Sequence, residues 1–217
     1  MSASAELPVR DGQTVVFMGD SITDCACRVH HPPYGDGYVN LLVNLIRARH
    51  PQRDIAFHNV GVSGESTDEL RQRWADDVIA LKPDWLSMMV GINDCQRYLF
   101  DVGKPPVSPQ RFAENYEVLL ARTVEQTSAR ILLMDPFYVT TETDADERRG
   151  QVMQTLPKYI EVVHEMAERF DAVHIPLHEL FMKHLRHRPP RALAGDAVHP
   201  TPLGHAILAT AWLQAMQ

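Results

Sequence analysis

The sequence predicts an α/β fold built on a parallel five-stranded sheet with helices on both faces. Short apolar runs alternate with longer stretches of helical period along the chain, and strands separated by crossover helices pair in parallel. No internal repeat and no Gly/Ser-rich linker divides the 217 residues, so we expect a single domain over residues 1–217. The composition, 45% hydrophobic and 23% charged, excludes a disordered or fibrous chain.

Three strands are predicted in the first half of the chain, each an apolar run with a glycine after it. They are Val15–Met18, Ile55–Val60 and Trp85–Val90, followed by Gly19, Gly61 and Gly91. Apolar residues at helical spacing predict a helix over Tyr38–His50 between the first two strands. Ser66 and Glu69 form a capping-box pattern that predicts the start of the next helix, which runs through Ile79.

The second half continues the alternation of helices and strands. Ser108 and Pro109 are suited to cap and begin a helix, and Pro157 is expected to kink or split a later one. The remaining predicted elements are two strands (Ile131–Met134 and Ala172–Ile175), a short helix over Glu179–His187, and a last helix beginning at Thr201-Pro202 with Leu203, Ile207, Ala211 and Leu213 on its core face.

Charge and cysteine content limit the classes of partner. The chain has 21 basic and 28 acidic residues, a net charge of −7, and no basic block. Nucleic acid and anionic membranes are therefore excluded as main partners, because binding to phosphates needs clustered Lys and Arg.

Three cysteines, Cys25, Cys27 and Cys95, cannot all pair with one another, and we see neither a secretory signal nor a membrane span. We expect a cytoplasmic protein that acts on a small molecule.

In parallel α/β sheets the functional residues follow the carboxyl ends of the strands. Ser21 comes two residues after the first strand, in Gly19-Asp20-Ser21-Ile22. A serine at a strand-to-helix turn is placed as an exposed nucleophile, with its own N–H directed at developing negative charge. The alternative is that Ser21 only caps a helix.

Two further strand ends carry groups that could donate hydrogen bonds to an oxyanion. Gly64 follows the second strand and offers an unblocked backbone N–H, although the segment could be merely a turn. Asn93 follows the third strand and offers a side-chain amide, with Asp94 expected to cap the segment after it. An Asn-Asp pair is also ordinary loop chemistry.

The segment before the last helix has the pattern of a general base with its supporting carboxylate. Asp196 and His199 are three residues apart, and Pro200 keeps His199 out of helical geometry. This spacing lets the carboxylate reach His199 Nδ1 and leaves Nε2 free to take a proton from a serine. The order along the chain is Ser, Asp, His.

The four segments together resemble the SGNH, or GDSL, hydrolase family. The resemblance implies a three-layer, flavodoxin-like α/β/α sandwich and a serine esterase that needs no cofactor or metal. It also implies roles for the residues: Ser21 as nucleophile, His199 as base, Asp196 as its support, and an oxyanion hole made by Ser21, Gly64 and Asn93.

The residues 17–25, 82–85 and 90–94 are similar to those of intracellular bacterial acetyl-xylooligosaccharide esterases of this family. This implies acetylated oligosaccharides as substrate, and homo-oligomerisation is compatible with it. Two positions depart from the family pattern: Ile22 replaces a leucine, and Gly195 stands where a large aromatic is expected. An acyl thioesterase or lysophospholipase of the same family is the alternative, and a binding module without catalysis would be expected to lack part of the triad.

Several side chains in the loops between these segments are suited to binding a sugar. Loop residues that suit a hydroxyl-rich sugar are Asp24, Arg28, Asp36, Arg97 and Arg148. Aromatics that could form the floor of the sugar site are Tyr34, Tyr98, Phe100, Phe137 and Tyr138.

Cys95 is predicted to be a small buried thiol. His164, His184 and His187 are interpreted as solvent-facing, because no histidine pair has the spacing of a metal motif.

Overall fold

The computed structural model describes residues 7–217, so the first six residues of the expected domain lie outside the described part. One sheet contains five strands in the order β2-β1-β3-β4-β5, and every adjacent pair is parallel. The strands are β1 (Thr14–Gly19), β2 (Ala56–Asn59), β3 (Trp85–Met89), β4 (Arg130–Met134) and β5 (Val173–Ile175). The predicted α/β/α fold class is confirmed.

Two groups of helices cover the sheet. α2 packs against α9, and α3 to α6 pack against one another. The helices are α1 (Ser21–Asp24), α2 (Tyr38–Arg49), α3 (Thr67–Trp74), α4 (Ile92–Leu99), α5 (Pro109–Gln126), α6 (Arg148–Arg169), α7 (Leu177–Leu185), α8 (Pro190–Leu193) and α9 (Pro202–Ala215), with a π-helical segment over Ala75–Ile79 after α3. None of the helices within residues 7–217 combines the length and apolar character needed to cross a bilayer.

The centre of the sheet is anchored by aromatic packing. Phe17 of β1 lies with its ring centroid 6.3 Å from that of Tyr38 in α2 and 5.9 Å from that of Trp212 in α9. Trp212 Nε1 also donates a 3.1 Å hydrogen bond to Ser87 Oγ. Ser87 is the residue of β3 that pairs with Phe17 of β1. All three aromatic side chains are fully buried, each contributing on the order of 1.5–3 kcal/mol. This packing fixes the end of β1, from which Ser21 follows.

Pro157 does not split its helix, so this part of the prediction is wrong. α6 is 22 residues long and contains Pro157 in its interior. Buried residues on both sides of the proline, among them Val152 and Tyr159, hold the two halves of the helix on the same surface. Tertiary packing therefore outweighs the backbone hydrogen bond that proline removes.

The predicted core face of the last helix is also partly wrong. Leu203 is 45% exposed, whereas Leu208 and Trp212 are buried. At 3.6 residues per turn each residue advances by roughly 100° around the helix. Leu203 therefore lies well away from Leu208 and Trp212, which mark the centre of the buried face. The predicted Ile207 and Ala211 are buried near the edge of that face.

Candidate active site

β1 ends at Gly19, and α1 begins at Ser21. Asp20 is the single residue between them. The Asp20 side chain caps α1, its Oδ1 accepting a 3.0 Å hydrogen bond from Ile22 N–H. Ser21 is therefore not the capping residue, and its hydroxyl points to another partner. As the first residue of a helix, it also has an N–H without an acceptor inside that helix.

That partner is His199. Ser21 Oγ lies 2.9 Å from His199 Nε2, and His199 Nδ1 lies 2.7 Å from Asp196 Oδ2. The structure thus brings together the three residues from opposite ends of the chain in one hydrogen-bonded series. With the Nδ1 proton held by the carboxylate, Nε2 is the acceptor for the serine proton.

The turn that carries Asp196 holds the carboxylate from several sides. Asp196 Oδ1 accepts hydrogen bonds from the backbone N–H groups of Val198 at 3.0 Å and His199 at 2.8 Å. Burial acts to raise the pKa of Asp196, but these bonds and the His199 ring hold it below its usual value of 3.8. The intervening Ala197 is left-handed, with φ of 78°, and its oxygen accepts from Val139 N–H at 2.8 Å. The carboxylate therefore stays ionised where the base must work.

A second carboxyl lies behind the serine. Asp20 is 1% exposed, and this burial raises its pKa to about 6, against the lowering effects of the Ile22 N–H and the charge of His199. The pKa of Asp20 is thus raised, whereas the pKa of Asp196 is lowered. Only Asp196 is favoured as the ionised partner of the imidazole.

Gly64 lies in the loop after β2 with φ of 76°, a conformation that other residues adopt only under strain. Its carbonyl oxygen accepts a 2.6 Å hydrogen bond from Arg97 Nη2. Within residues 7–217 its N–H meets no acceptor. This N–H is therefore available to a ligand.

Asn93 is the second residue of α4 rather than a loop residue. Its Nδ2 donates a 2.9 Å hydrogen bond to the carbonyl oxygen of Glu65, the residue after Gly64. An amide carries two N–H donors, so one proton orients the side chain and the other remains for a ligand. This bond joins the two loops that follow β2 and β3.

Arg97 was expected to face substrate, and this is wrong. It is 5% exposed, and besides Gly64 it donates to Ser66 Oγ at 2.7 Å and Glu69 at 2.9 Å. Burial acts to raise the pKa of Glu69, but hydrogen bonds from Ser66 and Arg97 outweigh it and bring the pKa to about 2. Sequence reasoning missed this positioning role, because only the fold brings α4 beside the start of α3.

Asp94 was expected to cap the segment after it, and this is also wrong. Its Oδ1 accepts from Thr67 N–H at 3.0 Å and from Thr67 Oγ at 2.5 Å, so it satisfies the start of α3 instead of its own helix. The carboxyl is fully buried, which raises its pKa to about 7 although the Thr67 bonds and the charge of Arg97 act to lower it. Asn93 and Asp94 thus join α4 to the loop before α3 and to the first residue of α3.

Two of the aromatics expected to floor a sugar site are buried. Phe137 is fully buried and stacks on Phe181 of α7 at 4.4 Å between centroids, and Tyr138 is only 6% exposed. Tyr98 is exposed, and Phe100 carries the Arg148 guanidinium 3.9 Å above its ring. Of these two, Tyr98 remains accessible to a ligand.

Two of the other polar residues suggested for sugar binding hold the loops in place. Asp24 Oδ2 accepts from Ser63 N–H at 3.1 Å and from its hydroxyl at 2.6 Å. Arg28 donates to the carbonyl oxygen of Gly61. Asp36 is exposed and close to His31, with 3.6 Å between Oδ2 and Nε2. Asp24 and Arg28 therefore fix the loop that leads to Gly64.

The cysteines do not provide a competing nucleophile. All three are free, and Cys95 is fully buried as predicted. Cys25 Sγ lies 3.7 Å from His205 Nε2, but burial raises the pKa of Cys25 to about 12 and lowers that of His205 to about 4. At neutral pH this pair is a thiol and a neutral imidazole rather than a reactive ion pair.

The site is open to solvent. The side chains of His199 and Asp196 are 54% and 59% exposed. Gly195 lies beside them, and a Cβ added there would have its nearest neighbour, the His199 carbonyl oxygen, at 4.0 Å. Space therefore adjoins the position where the family pattern has an aromatic side chain.

Comparison with known proteins gives a family match and several relatives. The chain matches the model of the GDSL-like lipase/acylhydrolase family over residues 17–207. It is 36% identical over 218 residues to the acetylxylan esterase of Geobacillus stearothermophilus, covering 96% of this chain and 95% of that protein. It is also 26% identical over 175 residues to the uncharacterized lipoprotein YqeF of Bacillus subtilis (strain 168), covering 75% of this chain and 69% of that protein.

Solved structures are similar over nearly the whole chain. Axe2, an acetylxylan esterase from Geobacillus stearothermophilus, superposes with a TM-score of 0.85 at 35% identity, covering 96% of this chain and 95% of that one. LAE5, an alpha/beta hydrolase enzyme from the metagenome of Lake Arreo in Spain, gives a TM-score of 0.85 at 30% identity, covering 97% and 98%.

Variants of Axe2 have also been solved. Three of them, described as catalytic mutants, replace a serine, an aspartate and a histidine by alanine. In that enzyme the aspartate and histidine are three positions apart, as Asp196 and His199 are here, and a tryptophan directly precedes the aspartate where this chain has Gly195. The residue types mutated in the relative are those that form the hydrogen-bonded series described above.

Proposed function

Since this chain belongs to the GDSL-like lipase/acylhydrolase family, we propose that it removes acetyl groups from short xylo-oligosaccharides, with Ser21, His199 and Asp196 as catalytic triad. The chain is a carboxylic ester hydrolase, and the proposal concerns its site residues and substrate. The observation that carries it is the series Asp196–His199–Ser21, with heavy-atom distances of 2.7 and 2.9 Å. These are the distances that proton transfer from serine to imidazole requires.

In the first half of the reaction His199 Nε2 takes the Ser21 proton while Oγ bonds to the ester carbonyl carbon. The carbonyl electron pair moves onto oxygen, and the N–H groups of Ser21 and Gly64 and the free amide N–H of Asn93 stabilise this oxyanion. The oxyanion then collapses, the bond to the sugar oxygen breaks, and His199 gives its proton to that oxygen. The products of this half are the deacetylated sugar and an acetyl-Ser21 ester.

The second half repeats these steps with water. His199 removes a proton from a water molecule, whose oxygen attacks the acetyl carbonyl, and the same donors stabilise the second oxyanion. Collapse releases acetate and returns the proton to Ser21 Oγ. Asp196 remains ionised throughout and stabilises the imidazolium formed in each half.

The substrate is proposed from the openness of the site and from the relative. More than half of the His199 and Asp196 side chains is exposed, and Gly195 leaves free space beside them. A bulky, hydrated leaving group such as a sugar can approach such a site, whereas a long acyl tail is favoured by an enclosed apolar groove. The related Geobacillus protein is named an acetylxylan esterase, which agrees with this choice.

A substrate panel tests the proposal. We expect kcat/KM to be highest for acetylated xylo-oligosaccharides and to fall steeply among aryl esters from acetyl to butyryl to octanoyl. Ser21→Ala is the control for background hydrolysis and should lose on the order of 10⁶-fold in kcat. Preference for octanoyl or longer chains, with acetylated sugars left intact, would instead support the acyl thioesterase or lysophospholipase alternative.

We also propose that the protein works in the cytoplasm. Support comes from the three cysteines, which are all free, since secreted proteins commonly oxidise theirs to disulfides. Fractionation of the native host should recover the protein with cytoplasmic markers, and recovery from the medium or the envelope would contradict this.

A further inference from the structure

A carboxylate and two imidazoles converge at the β4–β5 side of the sheet. Asp135 follows β4, His174 lies in β5, and His164 lies in α6. The Nε2 atom of His174 is 2.7 Å and that of His164 is 3.2 Å from Asp135 Oδ1. His164 is exposed on its helix, as predicted, but its imidazole also contacts the Asp135 carboxylate. The three residues are too far apart in sequence to form a recognisable motif.

The Asp135 carboxylate is buried and has few polar partners. Its side chain is 2% exposed. Within residues 7–217, the two histidines are the sole hydrogen-bond partners of its carboxylate. A buried carboxylate is costly unless it is paired with a cation. A metal ion bound between this carboxylate and the two imidazoles would supply such a cation.

We propose that Asp135, His164 and His174 bind a divalent transition-metal ion of the zinc class. Two imidazole nitrogens and one carboxylate oxygen are ligands that Zn²⁺ prefers, and the three ligand atoms already lie within 4.8 Å of one another. Zn–N bonds of about 2.0–2.1 Å in a tetrahedron place ligand atoms roughly 3.3 Å apart. The separations of 2.7 and 3.2 Å between the two imidazole nitrogens and Asp135 Oδ1 are already close to this value.

The cluster also has the open side that a three-ligand site requires. A cavity of about 280 Å³ is lined by His164, His174, Glu168 and Asp171. Glu168 comes four residues after His164 in α6, so both side chains lie on the same face of the helix. Water would take the fourth position of the ion, and the Glu168 carboxylate lines the same cavity.

The bound ion would join β5, an edge strand, to β4 and α6. Because a ligand that binds only the folded state stabilises it by mass action, Zn²⁺ should raise the melting temperature of the protein. The imidazoles must offer Nε2 lone pairs, so protons compete with the ion and its affinity should fall in acid. None of the three ligands belongs to the Ser21 site, and ester hydrolysis should not depend on the ion.

Calorimetric titration of chelator-treated, full-length protein with ZnCl₂ tests the site. We expect one equivalent to bind and to raise the melting temperature, and Co²⁺ to give the visible absorption of a tetrahedral site with nitrogen ligands. In His164→Gln/His174→Gln, each amide keeps an N–H donor for Asp135 but is a poor ligand. The Zn²⁺ affinity should then fall by more than the roughly 10–100-fold that loss of a ligand's hydrogen-bond partner causes.

His184→Gln/His187→Gln is the matched control, since it removes two histidines at the end of α7 and should bind Zn²⁺ like the wild type. The proposal is overturned if the wild type binds no stoichiometric Zn²⁺, or if the His164/His174 variant binds it as tightly. It is also overturned if one equivalent of Zn²⁺ inhibits ester hydrolysis, because the ion would then sit on His199.

Discussion

The Arg97 guanidinium donates a 2.6 Å hydrogen bond to the carbonyl oxygen of Gly64. A buried cation in α4 thereby holds the loop whose N–H is proposed to stabilise the oxyanion. The same guanidinium binds Glu69 at the start of α3. The Gly64 loop is thus tied to both α4 and the start of α3 through one guanidinium.

Arg97→Lys should lower kcat with little change in KM. Lysine retains the charge and the pairing with Glu69 but cannot reach both Glu69 and Gly64 with a planar fork. Displacement of the Gly64 N–H should cost up to roughly 100-fold in kcat. Steady-state kinetics measure this, and Arg111→Lys is the control. The exposed Arg111 of α5 pairs with Asp68, which is in α3 like Glu69. A lower melting temperature with unchanged kcat would mean that Arg97 is only structural.

Asn93→Ala should lower kcat by roughly 10²–10³ and leave KM nearly unchanged, because its amide is needed when the oxyanion forms. The same kinetics on Asn44→Ala, which removes an exposed amide in α2, should give wild-type values. An effect confined to KM would make Asn93 a binder of the substrate ground state and would remove it from the oxyanion hole.

Asp196→Asn should lower kcat by roughly 10⁴, as loss of the triad carboxylate does in other serine hydrolases. The Asn oxygen can still accept from the Val198 and His199 N–H groups, so the turn should keep its shape. The amide N–H would, however, face His199 Nδ1 and favour the tautomer with the proton on Nε2, which cannot accept from Ser21. Retention of activity within tenfold of that of Asp76→Asn, an exposed control, would contradict the assignment.

Asp94 should make the protein less stable as the pH rises from about 4 to about 7. Its pKa is about 7 in the folded protein, against 3.8 as the ordinary value. Between these values the folded state keeps the proton and the unfolded state has lost it, so each rise in pH favours unfolding. Asp20, with a pKa of about 6, acts in the same direction.

Asp94→Asn should therefore flatten this dependence, since its amide oxygen still accepts from Thr67 but carries no titrating proton. Urea unfolding of both proteins at about pH 5 and about pH 8 measures the change. An unchanged difference between the two pH values would show that Asp94 is already ionised at pH 5.

Local sequence patterns were sufficient where the determining interactions are themselves local. The capping box at Ser66 and Glu69 forms as predicted, and Ser108 and Thr201 cap their helices. The pairing of Asp196 with His199 depends on a three-residue turn and was also predictable. The failures at Pro157 and Leu203 come from packing against distant elements, which no local pattern contains.

The sequence by itself determined the alternation of strands and helices, and with it the edge of the sheet from which the segments that carry Ser21, Gly64 and Asn93 extend. This is possible because apolar periodicity selects the elements, and parallel connection places all strand ends on one side. Only the tertiary structure decided the partners of Arg97 and Asp94 and the meeting of Asp135 with His164 and His174. These contacts join residues tens of positions apart, and their geometry depends on how helices pack on the sheet rather than on their order along the chain.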